Sequence, residues 1–166
     1  MATLVPVEEY VNTSYHPDRE YVAGVVVERN VGELPHSRAQ RKLIRSFGRF
    51  EESCRAFAFP EARVQVKSDR FRVPDVTISL GGEPEGRYFT TPPFLVIEIL
   101  SPDDRHADLM EKIDDYRSFG IPWIWVIDPE SHRGEIYTAN GMKEARDGVM
   151  RTVDPAIEIP LPEILS

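Results

Sequence analysis

The stretch PFLVIEILSP, residues 93–102, constrains this chain more than any other. Six of its ten residues are large and apolar, without the alternation of a strand that wets one face. Such a run reads as a strand buried on both faces. A strand of that kind needs apolar layers on either side, which already favours helices packed over a sheet. Yet Glu98 stands in its middle. An ionised carboxylate buried without a partner costs roughly several kcal/mol. Glu98 is therefore paired, or it holds a cation, or the segment is not a strand.

The rest of the chain supplies the layers. LVPVEEYVN reads as a short helix, and REYVAGVVVERN as a strand entered through a turn, with Gly24 at a bulge or hairpin. SRAQRKLIRSFGRFEESC reads as an amphipathic helix, with Leu43, Ile44, Phe47, Phe50 and Cys54 on its apolar side. Three strands follow: AFAFPEARVQVK, FRVPDVTISL and PFLVIEIL. The loop GGEPEGRYFTTPP separates the last two. DDRHADLMEKIDDYRSFG reads as a helix, with Leu109, Ile113 and Tyr116 at i, i+4, i+7 and Gly120 just past its end. IPWIWVIDP is another buried strand. GEIYTA and the segment around Met142 form a hairpin before the closing IEIPLPEIL. The expected architecture is an α/β fold with a mixed sheet flanked by helices.

At 166 residues the expectation is a single domain spanning 1–166. A content of 41% hydrophobic and 29% charged residues is that of an ordinary globular chain. No apolar run reaches the ~18 residues of a membrane span. MATLVPVEEYV lacks a basic n-region and a long apolar stretch, so no signal peptide is expected and a cytoplasmic location is the default. The single cysteine, Cys54, excludes an intrachain disulfide and a multi-cysteine zinc site. His16, His36, His106 and His132 show no metal-ligand spacing, and no GxGxxG, Walker A or GxSxG motif is present. The net charge of −8 argues against a generic nucleic-acid binder. Charge is uneven, however: residues 36–72 carry ten Lys/Arg against four Asp/Glu. That segment is either a phosphate-binding face or simply a solvated helix face.

Two acids fall on strands expected to be neighbours, Asp75 in VPDVTI and Glu98 in LVIEIL. If the strands pair, both carboxylates converge at one sheet end, where a hard divalent cation relieves their repulsion. The alternative for each is an ion pair with arginine, such as Arg72 for Glu98. Lys112, on the following helix, reaches toward the same end, where an ammonium group can orient a nucleophile and offset phosphate charge. Its alternative is an exposed i, i+4 pair with Asp108. Asp103, Asp104 and Asp108 are adequately explained as acids at a helix N-terminus.

VPDV, LVIEILSP, DLMEKIDDY and GIPWIWVIDP, in that order, resemble the Uma-two family of restriction-endonuclease type, within the PD-(D/E)xK nuclease superfamily. The likeness runs from VEEYVN to IPLPEIL. It implies a restriction-endonuclease-like core, a Mg2+ site that also admits Mn2+, and phosphodiester hydrolysis in nucleic acid, with DNA the expected substrate. On this likeness Asp75 and Glu98 are the two motif acids, and both catalytic and metal-binding. The superfamily's lysine slot holds Leu100, and Lys112 takes over the lysine's place. Glu20 matches a further acid that can join the metal site. His36 matches a position able to touch phosphate, and otherwise is a helix-entry residue beside the better cap Ser37. Arg38, Arg41, Lys42, Arg45 and Arg49 are the expected backbone-phosphate contacts. By analogy a homodimer is expected, and no membrane partner. The competing reading is a nuclease-fold binding or assembly module that does not cut, motivated by Leu100 and by the acidic balance.

Overall fold

The computed structural model describes residues 3–30 and 32–166. Within PFLVIEIL, Leu95–Ile99 forms a central strand of a six-stranded sheet, and the layers it demanded are present on both faces. In chain order the elements are α1 (Val7–Val11), β1 (Glu20–Val22), β2 (Val25–Val27), α2 (Leu34–Phe47) and α3 (Glu51–Cys54). Then come β3 (Ala56–Pro60), β4 (Val64–Lys67), β5 (Arg70–Arg72), β6 (Val76–Leu80), β7 (Leu95–Ile99) and α4 (His106–Phe119). The chain closes with β8 (Trp123–Asp128), β9 (Arg133–Thr138), β10 (Gly141–Glu144), β11 (Val149–Thr152), β12 (Ile157–Pro160) and α5 (Leu161–Leu165).

The large sheet has the order β10-β9-β8-β7-β6-β3. Its one parallel pair is β7 with β8, joined through α4, so the sheet is mixed. Side chains alternate across it with period two. Leu95, Ile97 and Ile99, with Trp125 and Ile127, face a core built against Ala39, Leu43 and Phe47 of α2 and the closing β11–β12–α5 unit. Val96, with Ile124 and Val126, faces Ile113 and Tyr116 of α4. Glu98 shares the parity of Val96 and therefore points to the α4 side.

A smaller sheet, β2-β1-β5-β4, forms the second wall. One face of it buries Tyr21 and Phe71 against Tyr10 and Val26. The register pairs Glu20 with Val27 and Val22 with Val25, so these four share the other face.

Two sequence expectations need correction. AFAFPEARVQVK and FRVPDVTISL are not single strands. Each breaks at a Pro-containing or acidic turn, after Pro60 and after Arg72, and its halves join different sheets. Pro60 and Pro74 lack the N–H that a continuous ladder needs. The amphipathic helix starts earlier than expected, at Leu34, and passes through a 3-10 turn at Gly48–Phe50 before α3. Its N-cap is Glu33, not Ser37, and His36 lies in the first turn. The closing IEIP pairs as β12 with β11 in a separate two-stranded sheet.

Candidate active site

The antiparallel register of β6 and β7 pairs Val76 with Ile97, and one step further sets Asp75 opposite Glu98. The Ile99 amide donates to Asp75 Oδ2 at 2.7 Å, which ties the two strand ends together. The sheet thus brings the two sequence-predicted acids side by side.

Glu98 is only 6% exposed. Tyr116, fully buried on α4, donates its hydroxyl to Glu98 Oε1 at 2.5 Å. Burial raises the Glu98 carboxyl from 4.5 to about 7. Lys112 opposes that rise, and the nearby charges of Asp75 and Glu20 add to it. Tyr116 was read from the sequence as a core residue. It is one, but its hydroxyl also holds Glu98.

Asp75 behaves in the opposite way. Burial alone would raise its pKa, but His36, the Ile99 amide and Arg29 outweigh this and hold the carboxyl below its ordinary value. His36 Nε2 lies 3.1 Å from Asp75 Oδ1, and Arg29 Nη2 donates to the same oxygen at 3.2 Å. Asp75 in turn raises the imidazole's pKa despite the burial that works against its charged form. Gln40 Nε2 donates to the Asp75 backbone carbonyl at 2.9 Å and ties α2 to the site. Arg29 and Gln40 escaped the sequence reading. Arg29 merely follows a short strand, and nothing local marks it as the partner of an acid 46 residues away.

Lys112 lies one helical turn before Tyr116, so both reach the same sheet face. Its Nζ is 3.3 Å from Glu20 Oε1, and it does not pair with Asp108. Burial disfavours the ammonium, but the charges of Glu98, Glu20 and Asp75 more than offset this and raise its pKa. Glu20 is fully engaged. Its Oε1 also meets Arg72 Nη1 at 3.4 Å, and its Oε2 accepts from the Val73 amide at 2.8 Å. Arg72 is committed elsewhere too, donating from Nε to Asp115 Oδ2 at 2.8 Å. The Arg72 partner is therefore Glu20 with Asp115, and not Glu98.

Of these groups, Glu20, Arg29, Arg72, Glu98 and Lys112 line a cleft of about 500 Å³ between the smaller sheet and the start of α4, while Asp75, His36 and Tyr116 stand behind that lining. Of the expected nucleic-acid contacts, only His36 is at the site. Arg38, Arg41, Lys42 and Arg45 follow i, i+3, i+4, i+7 on one face of α2, opposite buried Ala39, Leu43 and Phe47. None of them lines the cleft. Arg49 is bound by Glu163 of α5.

Among the described residues no group of three or more His, Cys, Asp or Glu is arranged to hold a metal ion. What the fold offers is a carboxylate pair. Mg2+ is commonly held by one or two carboxylates and completed by water and substrate phosphate, so the pair fits it in type and charge. Glu98 suits that role best. Its charge is disfavoured by burial and by two neighbouring acids, which a cation would relieve. Asp75 fits once Oδ1 exchanges Arg29 or His36 for the ion.

The profile of a family described as "Putative restriction endonuclease", Uma2, matches residues 7–162. No curated protein matches the chain. Among solved structures, a protein from Anabaena variabilis ATCC 29413, described as "a putative nuclease belonging to DUF820", has a similar fold. The two are 21% identical, with 97% of each chain covered and a TM-score of 0.80. That likeness agrees with a restriction-endonuclease-like fold.

Proposed function

The chain belongs to the Uma2 family, and on that premise we propose that it is a divalent-metal-dependent nuclease that hydrolyses phosphodiester bonds in DNA. The observation that carries the reading is Glu98: a buried carboxylate with a pKa near 7, set beside Asp75 and facing Lys112. A purely structural carboxylate would have been given a full complement of donors. Here one hydroxyl serves Oε1, while the arginines of the region are committed to other acids.

Asp75 and Glu98 would hold the ion, Mg2+ or Mn2+. When bound, it supplies Lewis-acid stabilisation of phosphate charge and lowers the pKa of water. Lys112 orients the attacking water and offsets negative charge on the phosphoryl oxygens as one P–O bond forms and the ester P–O bond breaks. Glu20, with Arg72 behind it, fixes the Lys112 ammonium. We assign Glu20 this tethering role ahead of metal ligation, because both of its oxygens already accept from the protein. Tyr116 orients Glu98, and Arg29 and His36 hold Asp75. Arg38, Arg41, Lys42 and Arg45 form a basic stripe suited to backbone phosphates, which position a strand without reading its sequence.

The test is isothermal titration of Mn2+ and Mg2+ into wild type, Asp75→Asn and Glu98→Gln, beside cleavage of labelled DNA. Binding and cleavage lost in both folded variants support the proposal. Cleavage retained in both would remove it. A second reading, a nuclease-fold module that binds without cutting, is favoured by Leu100 in the lysine slot and by the occupied Asp75. It requires that no condition yields hydrolysis while nucleic acid is still bound.

A further inference from the structure

The cleft has a wall that phosphodiester hydrolysis alone does not require. Val22, Val25 and Val27 stand half-buried on the cleft face of the smaller sheet, on the same side as Glu20. Leu100 and Leu109 face them across the cleft. A phosphate has no use for five aliphatic side chains, but the face of a nucleobase does. The volume agrees: about 500 Å³ lies within the ~300–1,000 Å³ range of small-ligand pockets. That is the scale of one nucleotide, whereas duplex DNA presents a major groove ~12 Å wide and needs an extended surface.

Charge at the mouth points the same way. Glu28, Asp103, Asp104, Asp108 and Glu111 are all exposed around it, against a single exposed cation, Arg105. The other cations of the cleft, Arg29, Arg72 and Lys112, are withdrawn and paired with acids. A duplex carries one negative charge per ~1.7 Å of axis, so two strands laid across this rim would be repelled. The basic stripe on α2 lies away from the cleft lining and does not neutralise the rim. One end is also bridged: Asn30 Nδ2 donates to Asp104 Oδ1 at 2.6 Å.

Building on the nuclease reading, we propose that the site takes an unpaired nucleotide, its base seated on the Val22–Val25–Val27 wall, so that the substrate is single-stranded DNA or a locally opened duplex. The wall gives burial without base-edge recognition, so sequence preference at this nucleotide is weak.

The experiment uses the full chain with one labelled DNA sequence in three forms: single strand, blunt duplex, and duplex with a short central bubble, with Mg2+ or Mn2+. Val25→Thr/Val27→Thr is the diagnostic variant. Threonine keeps the shape and the strand propensity, so folding persists, while the wall becomes polar. The expected result is cleavage of the single strand and within the bubble roughly ten-fold or more faster than of the blunt duplex, with a KM raised roughly ten-fold in the variant. Equal or faster cleavage of the blunt duplex would overturn the unpaired-nucleotide proposal and leave the nuclease reading standing. If no form is cut with either metal, the nuclease reading fails, and fluorescence anisotropy with the same oligonucleotides decides the subsite. Tighter binding of the single strand, weakened in the variant, supports it. Equal or tighter binding of the duplex overturns it.

Discussion

Replacing Glu98 with glutamine should stabilise the metal-free protein at alkaline pH, although it removes the central acid of the site. In the folded chain the Glu98 carboxyl keeps its proton up to about pH 7, against 4.5 for the ordinary group, because burial penalises its charge. Between those values the folded state binds more protons than the unfolded one, so stability falls as pH rises. The slope is about 1.4 kcal/mol per pH unit, and the total reaches about 3 kcal/mol by pH 8. Glutamine carries no charge, and its carbonyl can still accept from the Tyr116 hydroxyl. The variant should therefore match wild type near pH 4.5 and exceed it by up to about 3 kcal/mol at pH 8. For a chain of this length that corresponds to a Tm higher by about 6–12 °C. Urea denaturation of both proteins with EDTA, across pH 4.5–8, measures this directly. A variant less stable than wild type at pH 8, or a difference that does not vary with pH, would refute the reasoning. Either result would mean that Glu98 is a satisfied structural carboxylate.

Other consequences follow from the same geometry. Saturating Mg2+ should stabilise wild type by RT ln(1 + [L]/Kd), about 2.7 kcal/mol at a hundred times Kd, and should leave Glu98→Gln unmoved, as calorimetric melting would read. Lys112→Ala should lower the cleavage rate about 10²–10³-fold with little change in Tm, because Glu20 keeps Arg72 and the Val73 amide; Glu20→Gln should cost less than Lys112→Ala in the same assay. Phe47→Ala should destabilise by about 3–5 kcal/mol in urea, since the ring, at the end of α2, is fully buried and packs against Trp125. At the alkaline end, burial raises the Tyr10 phenol, so the folded chain holds its proton above the unfolded value of 10.0 and stability falls as pH rises past it. Tyr10→Phe should flatten that loss relative to wild type by up to about 1.4 kcal/mol per pH unit.

Much of this was legible in the linear chain because hydrophobic period reports burial. The apolar run of 94–100, with one acid inside it, announced both a doubly covered strand and a site. The 3.6-residue pattern within 37–54 and 103–120 placed two helices, though not their ends, and Gly120 closes the second through its positive φ of 98°. The strand breaks at 60–64 and 72–76 carry local marks in Pro60, Glu61, Pro74 and Asp75, but only the switch of sheet partner shows that the chain turns there. The same limit applied to ionic partners. Asp75 and His36 were both singled out and Arg29 was not, and neither His36 nor Arg29 was expected as the partner of Asp75, because they lie 39 and 46 residues away and charge has no periodicity to follow. Tyr116 was assigned to the core by its spacing, which was right for its ring and silent on its hydroxyl.

By itself, then, the sequence determined which segments are buried, the order of strands and helices, and which acids would be expensive to bury without a purpose. Only the tertiary structure decided how those acids are shared among the cations. Glu20 went to Lys112 and Arg72, Asp75 to Arg29 and His36, and Glu98 was left with a single hydroxyl. The reason is physical. Burial follows from local composition repeated along one element, whereas ion pairing depends on the packing of elements far apart in the chain, to within an ångström.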